Sequence, residues 1–194
     1  MAKASDIEID PWEPYAEAGA RIVRVRTDDL FAADTRAVLD TEEIEGVHEM
    51  RVASRRLRAV LEVFEPCFPA KAYRSVLRDV KRLADALGER RDPDVHIAAM
   101  TRFAARVSES QRPGVQRLVA AQLERQGAGN VLLAAVLQQS ESSDLQGRLH
   151  ALADAVDGGS PPPEPALLAF TNGHAADGAH AAPADFDPTW SVTA

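Results

Sequence analysis

Apolar side chains recur at three- and four-residue intervals through most of the chain, and Pro and Gly mark the breaks between these runs. Residues 15–39, YAEAGARIVRVRTDDLFAADTRAVL, place Ala16, Ala20, Val23, Leu30 and Ala37 at imperfect helical spacing. The β-branched stretch IVRV argues weakly for a strand and Thr27/Asp28 for an irregularity, yet the period favours a helix. The next segment, DTEEIEGVHEMRVASRRLRAVLEVFEPCFP, is clearer: Met50, Leu57, Leu61 and Phe64 share one face, Thr41 is placed to cap, Glu42 and Glu43 suit a first turn, and Pro66 ends the helix.

A second strong helix follows Pro69. Its stripe is Tyr73, Val76, Leu77, Val80, Leu83, Ala84 and Leu87, with Gly88 as a C-terminal cap. Asp92 and Pro93 supply a cap and a first-position proline for a further helix, with Val95, Ala98, Ala99, Phe103 and Val107 facing inward, and Pro113–Gly114 is the next break. Residues 115–139 read as one long helix weakened near Gly127 and Gly129, or as two joined there, and a shorter helix is predicted from Asp144 to Val156. After Asp157 come GGSPPPEP and a sparse Ala/Gly/Pro/Asp-rich stretch, read as linker and tail with Phe170, Phe186 and Trp190 as isolated anchors.

The expected fold is therefore all-α: an antiparallel helical bundle over residues 14–156, after an acidic segment 1–13 and before a Pro/Gly/Ala-rich acidic segment 157–194. No sequence repeat is found. No apolar run approaches the roughly 18 residues of a membrane span, and the first residues have no apolar core before a cleavage site, so a cytoplasmic location is expected. The single cysteine, Cys67, excludes an internal disulfide framework.

Charge changes this picture. The net charge of −8 speaks against a general polyanion binder, but it is unevenly distributed. Residues 1–45 carry −7, residues 46–91 carry +5, residues 92–153 are neutral, and 154–194 carry −6 with no Lys or Arg. A basic island lies between acidic ends.

Motifs for enzymatic chemistry are missing. There is no Gly-rich dinucleotide or phosphate loop, no HExxH pair and no GxSxG elbow. The five histidines do not group with Cys67 at zinc spacing, and pairs such as Glu42/Glu43 and Asp92/Asp94 sit where helix starts ordinarily place acids. No catalysis, metal or cofactor is expected.

Within the island, His48, Arg51, Arg55, Arg58 and Glu62 follow spacings of 3, 4, 3 and 4 and form one longitudinal stripe. Arg56 lies off that line and widens the stripe or points to a neighbouring helix. Arg51, Arg55 and Arg58 repel one another unless an anion or an acidic neighbour compensates. On the next helix Arg74, Arg78, Lys81 and Arg82 form a second basic stripe, extended by Lys71. If the two helices are antiparallel neighbours, the stripes can converge on one groove, where guanidiniums fork to phosphate oxygens. Arg90 and Arg91 either close one end of it or pair with Asp92 and Asp94.

These residues resemble the CHAD family, the conserved-histidine α-helical domain. The resemblance rests on histidine, two residues, Arg-Val, two residues and Arg-Arg-Leu-Arg at positions 48–58, then a helix ending in Leu87-Gly88 and the turn Arg91-Asp92-x-Asp94-Val95. It covers about residues 44–97 clearly and 14–156 more weakly. It implies an all-helical fold that binds inorganic polyphosphate without catalysis, in some members at polyphosphate granules. The family histidine falls on His48, its basic residues on Arg51, Arg55, Arg56 and Arg58, and later basic positions on Lys81 and Arg82.

The family typically has two helical halves, and here the second His- and Arg-rich helix is missing, since GRLHALADAVD carries only Arg148. The chain thus resembles one half. Two copies associate as a homodimer to rebuild the basic cavity, or one half binds weakly, or the bundle persists as an interaction module whose basic face meets an acidic protein surface. Nucleic acid is the less favoured polyanion, because neither a base-reading element nor a stacking platform is evident.

Overall fold

The computed structural model describes residues 5–41 and 44–156. Glu42, Glu43 and everything after Val156, including Phe170, Phe186 and Trp190, lie outside the described residues. The described residues form six α-helices: α1 (Tyr15–Phe31), α2 (Thr35–Leu39), α3 (Glu45–Val63), α4 (Ala70–Ala104), α5 (Arg112–Ser142) and α6 (Leu145–Asp154), with a 3₁₀ turn at Glu65–Cys67. Among the described residues there is no strand, and the all-α bundle expected from periodicity is what forms. The IVRV run lies inside α1, and the break falls at 32–34 rather than at Thr27, whose buried hydroxyl bonds back to the Val23 carbonyl at 2.7 Å.

The two apolar stripes build the core. Met50, Leu57, Leu61 and Phe64 of the first, and Tyr73, Val76, Val80, Leu83 and Leu87 of the second, are all buried. They meet Val23 and Leu30 of α1, Leu133 of α5, and Leu149 and Leu152 of α6. Helix α4 packs against both α3 and α5, while α1 packs on α3 and α6. Tyr15 fastens the start of α1 to the end of α3, its hydroxyl donating to the Val63 carbonyl at 2.8 Å and its ring lying 4.6 Å from that of Phe64.

Thr41 does not cap α3, which begins four residues later at Glu45 with Ile44 in the cap position. The chain first makes the short α2, capped by Asp34. Glycine then permits a close approach, because a Cβ at Gly46 would sit 2.5 Å from the Ala37 carbonyl oxygen.

The larger departure is in α4. Gly88 does not end it and Pro93 does not start another helix; one 35-residue helix, about 52 Å long, runs through both. Proline lacks the N–H that would bond the Glu89 carbonyl. Gly129 of α5 packs on that turn, where a Cβ would lie 2.9 Å from the Glu89 oxygen and 3.0 Å from the Arg90 Cα. The inward face also differs from expectation. Val95 and Phe103 are exposed, and the core-facing period after Leu87 continues through Arg90, Pro93 and Asp94. Of the two readings of residues 115–139, the single uninterrupted helix is the one formed.

Arg90 is completely buried. Its guanidinium donates to Asp94 Oδ1 at 2.6 Å, Asn130 Oδ1 at 3.1 Å and the Asp40 carbonyl at 3.1 Å. Gln126 donates to the same Asp94 oxygen at 2.6 Å, and Asn130 donates to the Leu39 carbonyl at 2.9 Å. The cation and an amide thus satisfy carbonyls at the C-terminal end of α2, where positive charge is favoured.

Helix α6 starts at Asp144, whose left-handed backbone (φ 47°) an aspartate tolerates and whose carboxylate accepts from the Gly147 N–H at 3.1 Å. Arg148 then reaches Asp79 Oδ2 at 2.8 Å and Ser75 Oγ at 3.0 Å, tying α6 to α4. Partial burial of Asp79 opposes its ionisation, but the hydrogen bonds from Arg148 and Arg78 outweigh this and hold its carboxyl below the ordinary carboxylate range.

Three measurements check this account. Gly129→Ala pushes a methyl into backbone and is expected to lower unfolding free energy by about 1–3 kcal/mol in urea titration; an unchanged midpoint would refute the close approach. Arg90→Met strands the buried Asp94 carboxylate at a cost of about 3–5 kcal/mol, most of which the double change Arg90→Met/Asp94→Leu is expected to recover. Because the folded carboxyl of Asp79 titrates below its unfolded value, its contribution is complete above a pH of about 4 and is lost as pH falls through the folded value. Asp79→Asn is therefore expected to be less stable than the parent near neutrality, with the difference closing on acidification; a gap that stays constant in acid would exclude the linkage.

Candidate functional site

The basic stripe on α3 arises because helical spacing places His48, Arg51, Arg55 and Arg58 on the side away from Leu57 and Leu61. His48 is half-buried near the helix start. Arg51 Nη2 lies 3.8 Å from Asp92 on α4. Arg55 and Arg56 are exposed and make no ion pair among the described residues. Arg58 donates to Glu62 at 2.9 Å, and Lys81 of α4 reaches the same carboxylate oxygen at 3.6 Å. Pairing of Arg51 with Asp92 and of Glu62 with Lys81 makes α3 and α4 antiparallel, so the stripes are neighbours as expected. Glu62 supplies the acid that relieves repulsion between them. The Arg58 hydrogen bond, with help from the nearby Lys81, holds the Glu62 carboxyl below its usual range.

The concave space is one helix further on. An open groove of about 610 Å³ runs between α4 and α5, with Arg74, Arg78, Lys81 and Arg82 on the α4 wall. Leu77 and Ala86 of α4 and Leu132 and Val136 of α5 give it an apolar side, and Asp85 and Glu89 lie at the end nearer Pro93. Arg82 is steadied by a 3.0 Å bond to Gln139 of α5, and Arg78, 69% exposed, lies beside Asp79 at 3.3 Å. A smaller depression of about 320 Å³ adjoins it, lined by Arg78, Arg82 and Arg148 together with Ser75, Ser140 and Ser143. Arg74 makes no ion pair among the described residues.

Two sequence candidates are placed elsewhere. Arg90 has no accessible surface and is committed to internal acceptors, so it closes no end of the groove; its pairing is with Asp94, one of the two acids expected as an alternative. Arg91 is mostly buried, its Nη1 3.7 Å from Asp94 Oδ2. What sequence reasoning missed is the α5 wall and Arg148, which is 69 residues from its partner Asp79 and carries no local signal of that pairing.

The described residues hold no group of three or more His, Cys, Asp or Glu side chains able to bind a metal. Burial pushes the Cys67 thiol up, away from the reactive thiolate form, in keeping with a packing role. No described helix is long and apolar enough to cross a membrane. The arrangement can hold anions by charge and by guanidinium forks.

No curated protein and no solved structure matches the chain. One protein-family comparison does: the CHAD domain, over residues 21–190, which extends well beyond the stretch 44–97 that carries the clearest resemblance. With most of its length matched, an all-α bundle in place and the histidine–arginine stripe on α3, the chain belongs to the CHAD-domain family.

Proposed function

We propose that this chain binds inorganic polyphosphate without cleaving it, through His48, Arg51, Arg55, Arg56 and Arg58 on α3 and through Arg74, Arg78, Lys81 and Arg82 on α4. The observation that carries the reading is the adjacency of these two stripes on antiparallel helices, with Arg55, Arg56 and Arg74 free of internal ion pairs among the described residues. The family is generally linked to polyphosphate-related function. Successive phosphates engage successive side chains, so each added contact is an intramolecular step and long chains outbind short ones. Arginines fork to paired oxygens, Lys81 adds a point charge, and the His48 ring donates to an oxygen or holds an arginine in place. A polymer longer than one surface can bring two copies together, rebuilding a two-half basic site in the cytoplasm or at a polyphosphate granule.

A second reading has an observation of its own. The Leu132 and Val136 side of the α4/α5 groove offers nothing to a phosphate chain, but suits a protein surface that is acidic on one side and apolar on the other.

Calorimetric titration with polyphosphates of graded length, against orthophosphate and duplex DNA, separates the readings. Affinity is expected to rise with length and to fall steeply with salt. Combined replacement of Arg51, Arg55 and Arg58 by Ala is expected to weaken binding at least ~10-fold with helicity unchanged. Length-independent affinity, or an unaffected triple variant, would remove polyphosphate from the surface described.

A further inference from the structure

The most exposed aromatic side chain among the described residues lies in the segment before α1, outside the helices that carry the basic stripes. Trp12 is 91% exposed and Ile9 beside it 65% exposed. They stand in an acidic setting, with Glu8, Asp10, Glu13 and Glu17 lining one shallow concavity. The one cation there, Arg21, is engaged by Glu13 through two hydrogen bonds of 3.0 and 2.6 Å. Apolar side chains exposed side by side and rimmed by polar residues are a mark of contact surfaces, and tryptophan is among the residues most enriched at the energetic centre of interfaces.

This segment is built as a fixed turn. The Trp12 N–H donates to Asp10 Oδ1 at 2.9 Å, and the Glu13 N–H to the Asp10 carbonyl at 3.1 Å. Upstream, Ser5 Oγ donates to Asp29 Oδ1 at 2.5 Å while Arg26 donates to the Ser5 carbonyl at 3.0 Å. The upstream end is thereby fastened to α1, as the downstream end is by the Glu13–Arg21 pair, and α1 packs mainly on α3 and α6. The turn cannot leave this position without breaking the bonds to Asp29, Arg26 and Arg21 of α1.

Its chemical complement is present on the same molecule. The groove between α4 and α5 joins cations, Arg74, Arg78, Lys81 and Arg82, to an apolar side containing Leu77 and Leu132. An acidic turn bearing an indole fits such a groove on both counts: carboxylates against the cationic wall, ring against the apolar one. Polyphosphate uses only the first.

We propose that the acidic Trp12 turn of one copy docks in the α4/α5 groove of a second copy. The two surfaces differ, so the association is head-to-tail, and a pair keeps one unused groove on the copy that gave its turn and one unused turn on the other. Assembly therefore continues into chains or closes into rings. The proposal rests on the same groove as the polyphosphate reading but requires no polyphosphate, and it makes the two ligands competitors there.

The test uses the full chain in sedimentation velocity at low ionic strength. The parent is expected to form concentration-dependent species larger than a dimer, which disperse at about 0.5 M salt as screening shortens the reach of the charges. Trp12→Ala and the double change Arg74→Glu/Arg78→Glu are each expected to weaken association at least ~10-fold, with circular dichroism unchanged. Mixed in equal amounts, these two variants are expected to form a heterodimer and stop there, because one retains only a groove and the other only a turn. In a Trp190→Phe background, Trp12 emission shifts to the blue on association. A monomeric parent at about 100 μM, a Trp12→Ala protein that assembles like the parent, or a mixture that stays monomeric overturns the docking. A heterodimer dispersed by saturating polyphosphate supports both readings; one that forms and survives it supports the docking and removes the groove as the polyphosphate site.

Discussion

The Arg90–Asp94 pair is the constraint around which the rest of this molecule is arranged. A guanidinium with no access to water is tolerated only when its donors are satisfied, and here the acceptors come from three places: its own helix, the facing helix α5 and the C-terminal end of α2. Sliding α5 by one turn would remove Asn130 from Arg90 and Gln126 from Asp94 together. The network thus works as a register pin between the two longest helices, a role in which buried polar groups are better attested than as a source of net stability. Gly129, one residue from Asn130, lets the helices come close enough for those bonds to form.

Because α5 is held in register, the groove has a defined far wall. Leu132 and Val136, one turn apart, line that wall, and Gln139 meets Arg82 at its upper end. The bond between Arg148 and Asp79 holds the last described helix against the same stretch of α4. A core contact in the lower half of α4 and a surface groove in its upper half are linked by the stiffness of one uninterrupted helix.

Much of this was legible in advance, for a simple reason. Leu57 and Leu61 on α3, and Val76, Val80, Leu83 and Leu87 on α4, are apolar residues at helical period, and burial follows period directly. The α3 cations were equally legible as the outward complement of that face. The reading failed where residue type and position disagreed. Arg90 and Asp94 continue the core-facing period but carry the charges of surface residues, so the sequence pattern predicts a helix start at Asp92-Pro93 and core positions for Val95 and Phe103. Their compensating partners lie 32 to 50 residues away, at Gln126, Asn130 and the Asp40 carbonyl, and no local pattern announces them. The position of the groove is hidden for a related reason: the α3 and α4 stripes do adjoin, but Glu62 pairs across the seam between them, and the hollow lies on the other flank of α4, against Leu132 and Val136 of α5.

The order of charges along α4 has a consequence for anything linear that lies on it. From Arg74 to Arg82 the outward side chains are cationic, and eight residues of helix span about 12 Å. Beyond that come Asp85, Glu89 and Asp92 on the same side of the rod. A string of negative charge laid parallel to the helix axis therefore meets attraction over roughly two turns and repulsion over the next two. Off that axis, the step from Lys81 to Arg58 on the neighbouring helix passes the Glu62 carboxylate that both cations already hold. The cationic stretch of α4 is about two turns long, and the three carboxylates set its length.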